Sequence, residues 1–223
     1  MASVPAMRKS PTTHQVRVGA HALEGELTLP DAALGVVVFA HGSGSSRASP
    51  RNRRVAQVLQ GHRLATLLFD LLLESEARDR AHVFDIDLLA SRVVEALDWM
   101  AGREDLQRLR IGLFGASTGA AAALVAASMR PWQAAAVVSR GGRPDLAGDA
   151  LPRVTAPTLL IVGALDQEVL ALNRRAMLAL ACEKRLEVVP GATHLFEEPG
   201  TLDAAAHLAG SWFAARLGDG HPH

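Results

Sequence analysis

Cysteine is nearly absent from this sequence, which contains only Cys182 among its 223 residues. One cysteine can form neither an intramolecular disulfide nor a multi-cysteine metal site. Net charge is also lacking, because 23 Lys and Arg residues balance 23 Asp and Glu residues. This balance removes the attraction that draws basic proteins to nucleic acids or to anionic membranes. We therefore expect neither of these as a partner.

Long hydrophobic runs are missing as well. Charged residues interrupt each apolar segment before it reaches the roughly 18 residues that a membrane-spanning helix needs. Near the N-terminus, Arg8 and Lys9 precede polar residues instead of an apolar core, so no secretory signal is expected. These absences favour a cytoplasmic protein.

The sequence does contain enough apolar residues for one core. Hydrophobic residues make up 49% of the chain, and 223 residues fit a single α/β domain. No internal repeat or break in composition divides the chain, so we predict one domain over residues 1–223. Within it, we expect residues 1–14 and 218–223 to be flexible.

Short apolar runs alternate with longer helical patterns along the chain. The runs predict strands at 35–40, 64–69, 110–114, 134–139, 158–162 and 185–189, and the helical patterns lie at 50–60, 87–101, 118–129, 168–181 and 201–217. Because each run is almost wholly apolar, we expect each strand to be covered on both faces. Residues 15–18 and 23–29 alternate more and predict an antiparallel edge pair. Together these elements predict an α/β fold with a mostly parallel central sheet flanked by helices.

The strongest chemical motif is Gly115-Ala116-Ser117-Thr118-Gly119, which follows an apolar strand and opens an alanine-rich helix. A nucleophile elbow needs this context, because small residues allow the sharp turn that exposes the serine hydroxyl. The start of the helix also supplies backbone N–H groups and a favourable dipole for an oxyanion. We predict that Ser117 is a nucleophile, the alternative being a glycine-rich packing turn.

A serine hydroxyl is a weak nucleophile and needs a base. His194 follows the last predicted strand at a Pro-Gly turn, whereas His207 lies in a helical pattern and His221 and His223 lie in the C-terminal tail. We therefore predict that His194 is the base. The alternative is a histidine whose hydrogen bonds are satisfied within a structural turn.

The base needs a carboxylate that orients its ring and offsets its charge. Asp166 follows the predicted strand 158–162 through a tight turn, and the chain order Ser, Asp, His matches the order of such a triad in α/β-hydrolases. Asp145 is the second candidate for this acid, and Glu168 is also nearby. Asp166 has an alternative role as the cap of the following helix.

An oxyanion hole is the remaining part of such a site. The glycine-bearing loop at residues 41–46, called the oxyanion loop below, follows the strand 35–40 and can present backbone N–H groups. We predict that the N–H groups of Ser43 and Thr118 bind the oxyanion and that Gly42 contacts the substrate. His41 is interpreted as a structural residue that shapes this loop.

These motifs, H-G-S-G-S-S-R, G-x-S-x-G, G-x-x-D and G-x-x-H in this order, resemble the small dienelactone hydrolase-like group of α/β-hydrolase fold serine hydrolases. The resemblance extends from about Val16 to Leu217. It implies a sheet of about six to eight strands, a minimal cap, and Ser117, Asp166 and His194 as a catalytic triad. Dienelactone hydrolases carry cysteine where Ser117 stands, and Cys182 lies in a predicted helix and cannot replace it. Dienelactone itself is therefore not the expected substrate.

Arginine residues near the predicted site could bind an acidic substrate group. Arg140 is the preferred candidate, with Arg143, because ligands gather beyond the carboxyl ends of parallel strands. Arginines also cluster beside the oxyanion loop, where ion pairs or a solvated surface are the more common role: Arg47, Arg51, Arg53 and Arg54. Asp85 and Asp87 are read as helix-start residues, and no metal site is expected.

The expected reaction is acyl transfer from a small or short-chain carboxylic ester to water, through an acyl-enzyme and without a cofactor. Residues 71–85 are the segment available as a cap, which predicts an open site. A thioesterase, a lactonase or an amidase would use the same triad, and a non-catalytic scaffold that acts as an interaction module is a further alternative. The expected protein is a monomer or a homodimer.

Overall fold

The computed structural model describes residues 10–218 of the chain. Residues 1–9 and 219–223 lie outside the described residues, so the predicted flexibility of these segments stays a prediction. Residues 12–14 are paired in the first strand and are therefore not the flexible segment that we predicted. The reason is that pairing with the second strand extends as far as Thr12 opposite Leu29.

An eight-stranded sheet forms the centre of the molecule. Its strands are β1 Thr12–Val18, β2 Leu23–Leu29, β3 Gly35–Ala40, β4 Leu64–Phe69, β5 Ile111–Ala116, β6 Ala134–Arg140, β7 Thr158–Gly163 and β8 Lys184–Val189. The order across the sheet is β1-β2-β4-β3-β5-β6-β7-β8. The pairs β1–β2 and β2–β4 are antiparallel and the others are parallel. The predicted α/β class, mostly parallel sheet and antiparallel edge pair are thus present.

Helices cover the two faces of the sheet. Their bounds are α1 Pro50–Gly61, α2 Glu74–Ala77, α3 Arg80–Val83, α4 Ile86–Ala101, α5 Thr118–Met129, α6 Gln167–Ala179 and α7 Thr201–Leu217, with a 3₁₀ segment at Pro144–Arg153. Helices α4 and α5 pack on one core cluster, whereas α1 and α7 pack on the other. This arrangement explains why every residue of the central strands β3, β4, β5 and β7 is buried.

Strand β8 departs from the expectation that each apolar strand is covered on both faces. It is the last strand of the sheet, and Lys184 and Arg185 at its start are exposed. An edge strand has a neighbour on one side only, and charged residues protect its open side from unwanted pairing. The apolar residues of β8 are accordingly only partly covered, with Val189 buried, Leu186 half-buried and Val188 exposed.

The helix starts follow local sequence chemistry. Ser49 accepts a hydrogen bond from the N–H of Asn52 at 3.4 Å, and Pro50 occupies the first position of α1. Asp85 accepts from the N–H of Leu88 at 2.9 Å and caps α4. The loops that follow β3 and β4 thus lead into helices with side-chain caps.

Candidate active site

Ser117 lies in a sharp turn between β5 and α5. Its backbone has φ 51° and ψ −124°, a conformation that costs energy in a residue with a side chain. The turn also needs Gly119, because a Cβ atom there would lie 2.2 Å from the carbonyl oxygen of Ala40. Strain of this kind persists where the surroundings hold it in place and is common at active sites. The strand-to-helix elbow that the motif predicts is therefore present.

Asp166 and His194 are in direct contact. The Nδ1 atom of His194 lies 2.7 Å from Asp166 Oδ2, and the two residues occupy the loops after β7 and β8. Asp166 Oδ1 accepts a hydrogen bond from the N–H of Val169 at 3.4 Å and thereby caps α6. One carboxylate oxygen thus contacts His194 and the other caps α6, while the role of Asp166 as a triad acid stays a prediction.

The other candidate acids have different surroundings. Asp145 accepts hydrogen bonds from Arg143, with Nη2 at 2.8 Å and Nε at 2.9 Å. Glu168 lies in the first turn of α6. Within residues 10–218, Asp166 is the carboxylate that forms a hydrogen bond or ion pair with His194. The geometry therefore favours Asp166.

Ser117 and His194 both lie next to the end of β6, at Arg140 and Gly141. The N–H of Ser117 donates to the carbonyl oxygen of Arg140 at 3.4 Å. A Cβ atom on Gly141 would lie 3.0 Å from the carbonyl oxygen of His194 and 3.8 Å from its Nδ1. No hydrogen bond joins the Ser117 hydroxyl to His194 in the described part of the chain. Such bonds are often long before substrate binds.

The predicted oxyanion donors lie together, but one of them is already engaged. The N–H of Ser43 donates to Thr118 Oγ1 at 2.9 Å. The N–H of Thr118 is at the first position of α5, which has no partner within its own helix. A Cβ atom on Gly42 would lie 3.7 Å from Ser117 Oγ, so the loop is close to the hydroxyl. Ser43 could serve an oxyanion only if its N–H turned away from the Thr118 hydroxyl or divided itself between the two.

His41 is a structural residue, as expected. It is buried, its Nδ1 lies 3.0 Å from the carbonyl oxygen of Gly42, and its Nε2 accepts from the N–H of Leu71 at 3.1 Å. Burial lowers the pKa of His41, which favours the neutral ring that this pair of bonds requires. The ring therefore ties the oxyanion loop to the end of β4.

The arginines beside the oxyanion loop form ion pairs. The pairs are Arg47 with Asp70 and Glu24, Arg51 with Glu197, Arg53 with Glu26, and Arg54 with Asp203. Arg143 pairs with Asp145. Arg140, at the end of β6, has no carboxylate partner among residues 10–218, and its Nε is buried without a hydrogen bond. The sequence named Arg140 together with Arg143 as candidates for substrate binding, and the structure separates the two because Arg143 has a carboxylate partner.

A cavity of about 570 Å³ lies against the oxyanion loop, and its lining does not include Ser117, Asp166 or His194. The loop, at Gly42 and Ser43, forms one wall, and the cap segment contributes apolar side chains that include Leu72 and Val83. Helices α2 and α3 of this segment bury none of their own residues. Residues 71–85 thus form a thin cover, which agrees with the minimal cap that the sequence predicts.

Asn173, which was not among the predicted residues, is hydrogen-bonded to the backbone next to the candidate site. Its fully buried side chain donates from Nδ2 to the carbonyl oxygens of Gly142 at 3.0 Å and Val169 at 2.8 Å. Gly142 precedes Arg143, whose N–H donates to the carbonyl oxygen of Ser117 at 3.1 Å. Asn173 therefore links the helix that begins after Asp166 to the nucleophile turn. The one signal for this role is a polar residue on the apolar face of an amphipathic helix.

Some other predicted features can be located as well. The helix predicted at 168–181 ends at Ala179, so Cys182 lies in the following bend and not in a helix. Within residues 10–218, no helix has the length and apolar character needed to cross a membrane. The same part of the chain holds no cluster of His, Cys, Asp or Glu that could bind a metal ion. His221 and His223 lie outside the described residues.

Known proteins resemble this chain over most of its length. The sequence model of the Dienelactone hydrolase family matches residues 24–213. The crystal structure of a dienelactone hydrolase from Anabaena variabilis is 56% identical, covers 94% of this chain and 100% of its own, and has a TM-score of 0.90. Est1E from Butyrivibrio proteoclasticus is 13% identical with a TM-score of 0.74, covers 93% of this chain and 99% of its own, and shares the fold. The α/β-hydrolase fold is thereby confirmed.

A relative in Mycobacterium tuberculosis carries a different name, "Putative phosphoribosyl transferase". It is 60% identical over 203 residues, which are 91% of this chain and 46% of the relative. The chain therefore spans about half the length of that relative. More than half of that relative therefore lies outside the matched region.

Proposed function

From the premise that the chain belongs to the dienelactone hydrolase family, we propose that it is a serine hydrolase that cleaves small or short-chain carboxylic esters. In this proposal Ser117 is the nucleophile, His194 the base and Asp166 the acid that orients the base. The observation that carries it is the 2.7 Å contact between Asp166 and His194 beside the strained turn at Ser117.

The first half of the reaction forms an acyl-enzyme. Ser117 Oγ attacks the ester carbonyl while His194 Nε2 takes the hydroxyl proton. Asp166 accepts the Nδ1–H hydrogen bond, which leaves Nε2 free as the base and stabilises the positive ring that forms. When the tetrahedral intermediate collapses, the C–O bond to the alcohol breaks, and His194 returns the proton to the departing alcohol.

The second half releases the acid. Water attacks the acyl-Ser117 carbonyl while His194 again accepts a proton, and the Ser117 oxygen leaves with that proton. In both halves the N–H of Thr118 donates to the oxyanion, with the dipole of α5 behind it. The N–H of Ser43 joins it by moving from the Thr118 hydroxyl, which is its acceptor before substrate binds.

The substrate size is inferred from the cavity next to the loop after β3, which is lined by Gly42 and Ser43 but not by Ser117 itself. The cavity beside Gly42 and Ser43 holds about 570 Å³, and its cover consists of the short helices α2 and α3. This space suits a compact group, and the thin cover contributes little surface for a long alkyl chain. Thioesters, lactones and amides are alternative substrates, because the same three groups can cleave them.

We do not propose a phosphoribosyl transferase activity for this chain. The chain matches 46% of that relative, and the Ser117 turn, Asp166 and His194 all lie within the hydrolase family match at residues 24–213. We propose hydrolysis for this chain.

Labelling with a fluorophosphonate tests the proposal, because such probes phosphonylate an activated serine. The wild-type protein is expected to be labelled at Ser117, and the Ser117→Ala variant is expected to remain unlabelled. Ser128→Ala, in the same helix but outside the site, is the matched control and should be labelled like the wild type. An unlabelled wild type, or equal labelling of Ser117→Ala, would instead favour the non-catalytic scaffold.

A further inference from the structure

Arg140 is a buried cation without a counter-ion. It is 7% exposed, and burial together with the nearby charge of Arg51 lowers the pKa of its guanidinium to about 10. The group therefore still carries its charge at neutral pH. Burying a charge is costly unless the group is paired and hydrogen-bonded. In residues 10–218, no carboxylate forms an ion pair with Arg140 and no acceptor binds its Nε.

The neighbouring arginines show that partners are available in this part of the molecule. Arg51 pairs with Glu197 at 3.3 Å, and Arg143 pairs with Asp145 at 2.8 Å. Both of these arginines are more exposed than Arg140, so the one with the greatest need of a partner is the one that lacks it. The Arg51–Glu197 pair is neutral as a unit and therefore does not compensate the charge of Arg140, which a single anionic group would balance.

The position of Arg140 connects it to the proposed nucleophile. Its carbonyl oxygen accepts from the N–H of Ser117, and its guanidinium carbon lies 5.5 Å from the centre of the Phe196 ring. Phe196 belongs to the loop that carries His194, and Arg51 belongs to the first turn of α1. Arg140 therefore lies between α1 and the His194 loop, close to where an ester would be held.

We propose that Arg140 binds an anionic oxygen group of the substrate, a carboxylate or a phosphate, and that the hydrolase prefers esters carrying such a group. The inference rests on the proposed hydrolase function and adds the class of its substrate. A guanidinium presents parallel N–H donors that match the oxygens of either anion. The guanidinium also lies over the Phe196 ring, which attracts a cation.

The cavity next to Gly42 and Ser43 and the buried Arg140 then take different parts of the substrate. The apolar wall of the cavity, at Leu72 and Val83, receives the neutral part, while Arg140 receives the charged part. The ester that fits this description is compact, with a negative charge a few bonds from the reacting carbonyl.

The test compares two esters of matched chain length. The mono-p-nitrophenyl ester of glutaric acid carries a free carboxylate, whereas p-nitrophenyl valerate is neutral. The wild type is expected to hydrolyse the charged ester with a kcat/KM about tenfold higher or more, since a hydrogen-bonded charge contributes roughly that factor. Arg140→Met should lower this preference by about tenfold to 100-fold. Arg140→Lys, which keeps the charge but loses the paired donors, should give an intermediate preference.

Arg53→Met is the matched control, because Arg53 lies in the same region and is paired with Glu26. It should keep the wild-type preference. A wild type without preference for the charged ester would overturn the proposal, as would an Arg140→Met variant that loses activity on both esters by the same factor. If Arg140→Met does not fold, the wild-type preference and Arg140→Lys decide the question.

A binding measurement separates this inference from the proposed function. Ser117→Ala should bind glutarate or butyl phosphate in a calorimetric titration, and the double variant Ser117→Ala, Arg140→Met should bind at least about tenfold more weakly. The stronger of the two ligands identifies carboxylate or phosphate as the preferred anion. Arg140-dependent binding in a protein that fluorophosphonate does not label would refute the hydrolase and retain the anion site. Binding of neither anion by Ser117→Ala would refute the anion site.

Discussion

The Asp166 carboxylate caps helix α6 with one oxygen and holds His194 with the other, at 3.4 Å and 2.7 Å respectively. The cap positions the acid, since the helix start is anchored by the strand before it. The orientation of the imidazole therefore depends on the same residue that begins the helix. This double role allows stability and catalysis to be separated by substitution.

Asp166→Asn should reduce kcat by about 10⁴-fold, because an amide can present an N–H to Nδ1 and favour the wrong tautomer. Folding should change little, since Asn is as good a helix cap as Asp. Ester turnover and thermal unfolding measure the two effects. Asp145→Asn is the control and should retain activity. Loss of activity in Asp145→Asn with near-normal turnover in Asp166→Asn would move the acid to Asp145.

Gly119→Ala should disrupt the nucleophile turn. Its new methyl group would lie 2.2 Å from the carbonyl oxygen of Ala40, which is backbone and cannot move aside easily. Overpacking of this kind costs about 1–3 kcal/mol of unfolding free energy, and displacement of Ser117 should also lower labelling by fluorophosphonate. Gly61→Ala, where nothing lies within 4 Å of the added atom, should be neutral or slightly stabilising. Equal denaturation midpoints for the two variants would show that the turn tolerates the methyl group.

Asn173→Leu should slow fluorophosphonate labelling while the protein stays folded. The substitution removes the hydrogen bonds to Gly142 and Val169, and the unfolding free energy should fall by about 1–3 kcal/mol as buried carbonyls lose a donor. The labelling rate reports the position of the Ser117 turn independently of any ester. Leu178→Ala, an exposed position on the same helix, should label like the wild type. An unchanged rate in Asn173→Leu would leave Asn173 with a structural role alone.

Acidification should destabilise the protein through His41. Burial depresses the pKa of His41 below its ordinary value of 6.5, so the unfolded chain binds a proton more readily than the folded one. The unfolding free energy should therefore fall as pH drops below about 6.5, and His41→Gln should show a shallower decline between about pH 7 and pH 5. Urea denaturation across this range measures the slope. Identical slopes for the two proteins would remove His41 as the cause.

Short acyl chains should be hydrolysed better than long ones. The cavity beside the oxyanion loop is about 570 Å³, and the helices α2 and α3 that cover it are short. The kcat/KM for p-nitrophenyl butyrate should exceed that for the palmitate ester, and Leu72→Trp should shift the optimum towards acetate by filling the cavity. Higher turnover on the palmitate ester would contradict the assigned size, and an unchanged optimum in Leu72→Trp would place the acyl chain elsewhere.

Most of the fold could be predicted because its signals are local. Apolar runs mark the buried strands, and the Ser49-Pro50 and Asp85 starts mark helices through contacts within a few residues. The exceptions are long-range properties. β8 has an apolar sequence but lies at an edge, and β1 begins at Thr12 because its partner strand extends that far.

The sequence by itself determined the order of the candidate catalytic residues along the chain: a serine in a glycine turn, then an aspartate, then a histidine, each after a strand. Adjacent residues create those signals, so no fold is needed to see them. Only the tertiary structure decided which arginine lacks a partner and which amide already has one. Arg140, Arg51 and Arg143 all lie near predicted site residues in the sequence. Their burial and their distances from carboxylates differ, and only the folded structure shows that Arg140 is buried without a carboxylate partner. The engagement of Ser43 by Thr118 is likewise a contact between loops of different strands, which only folding brings together.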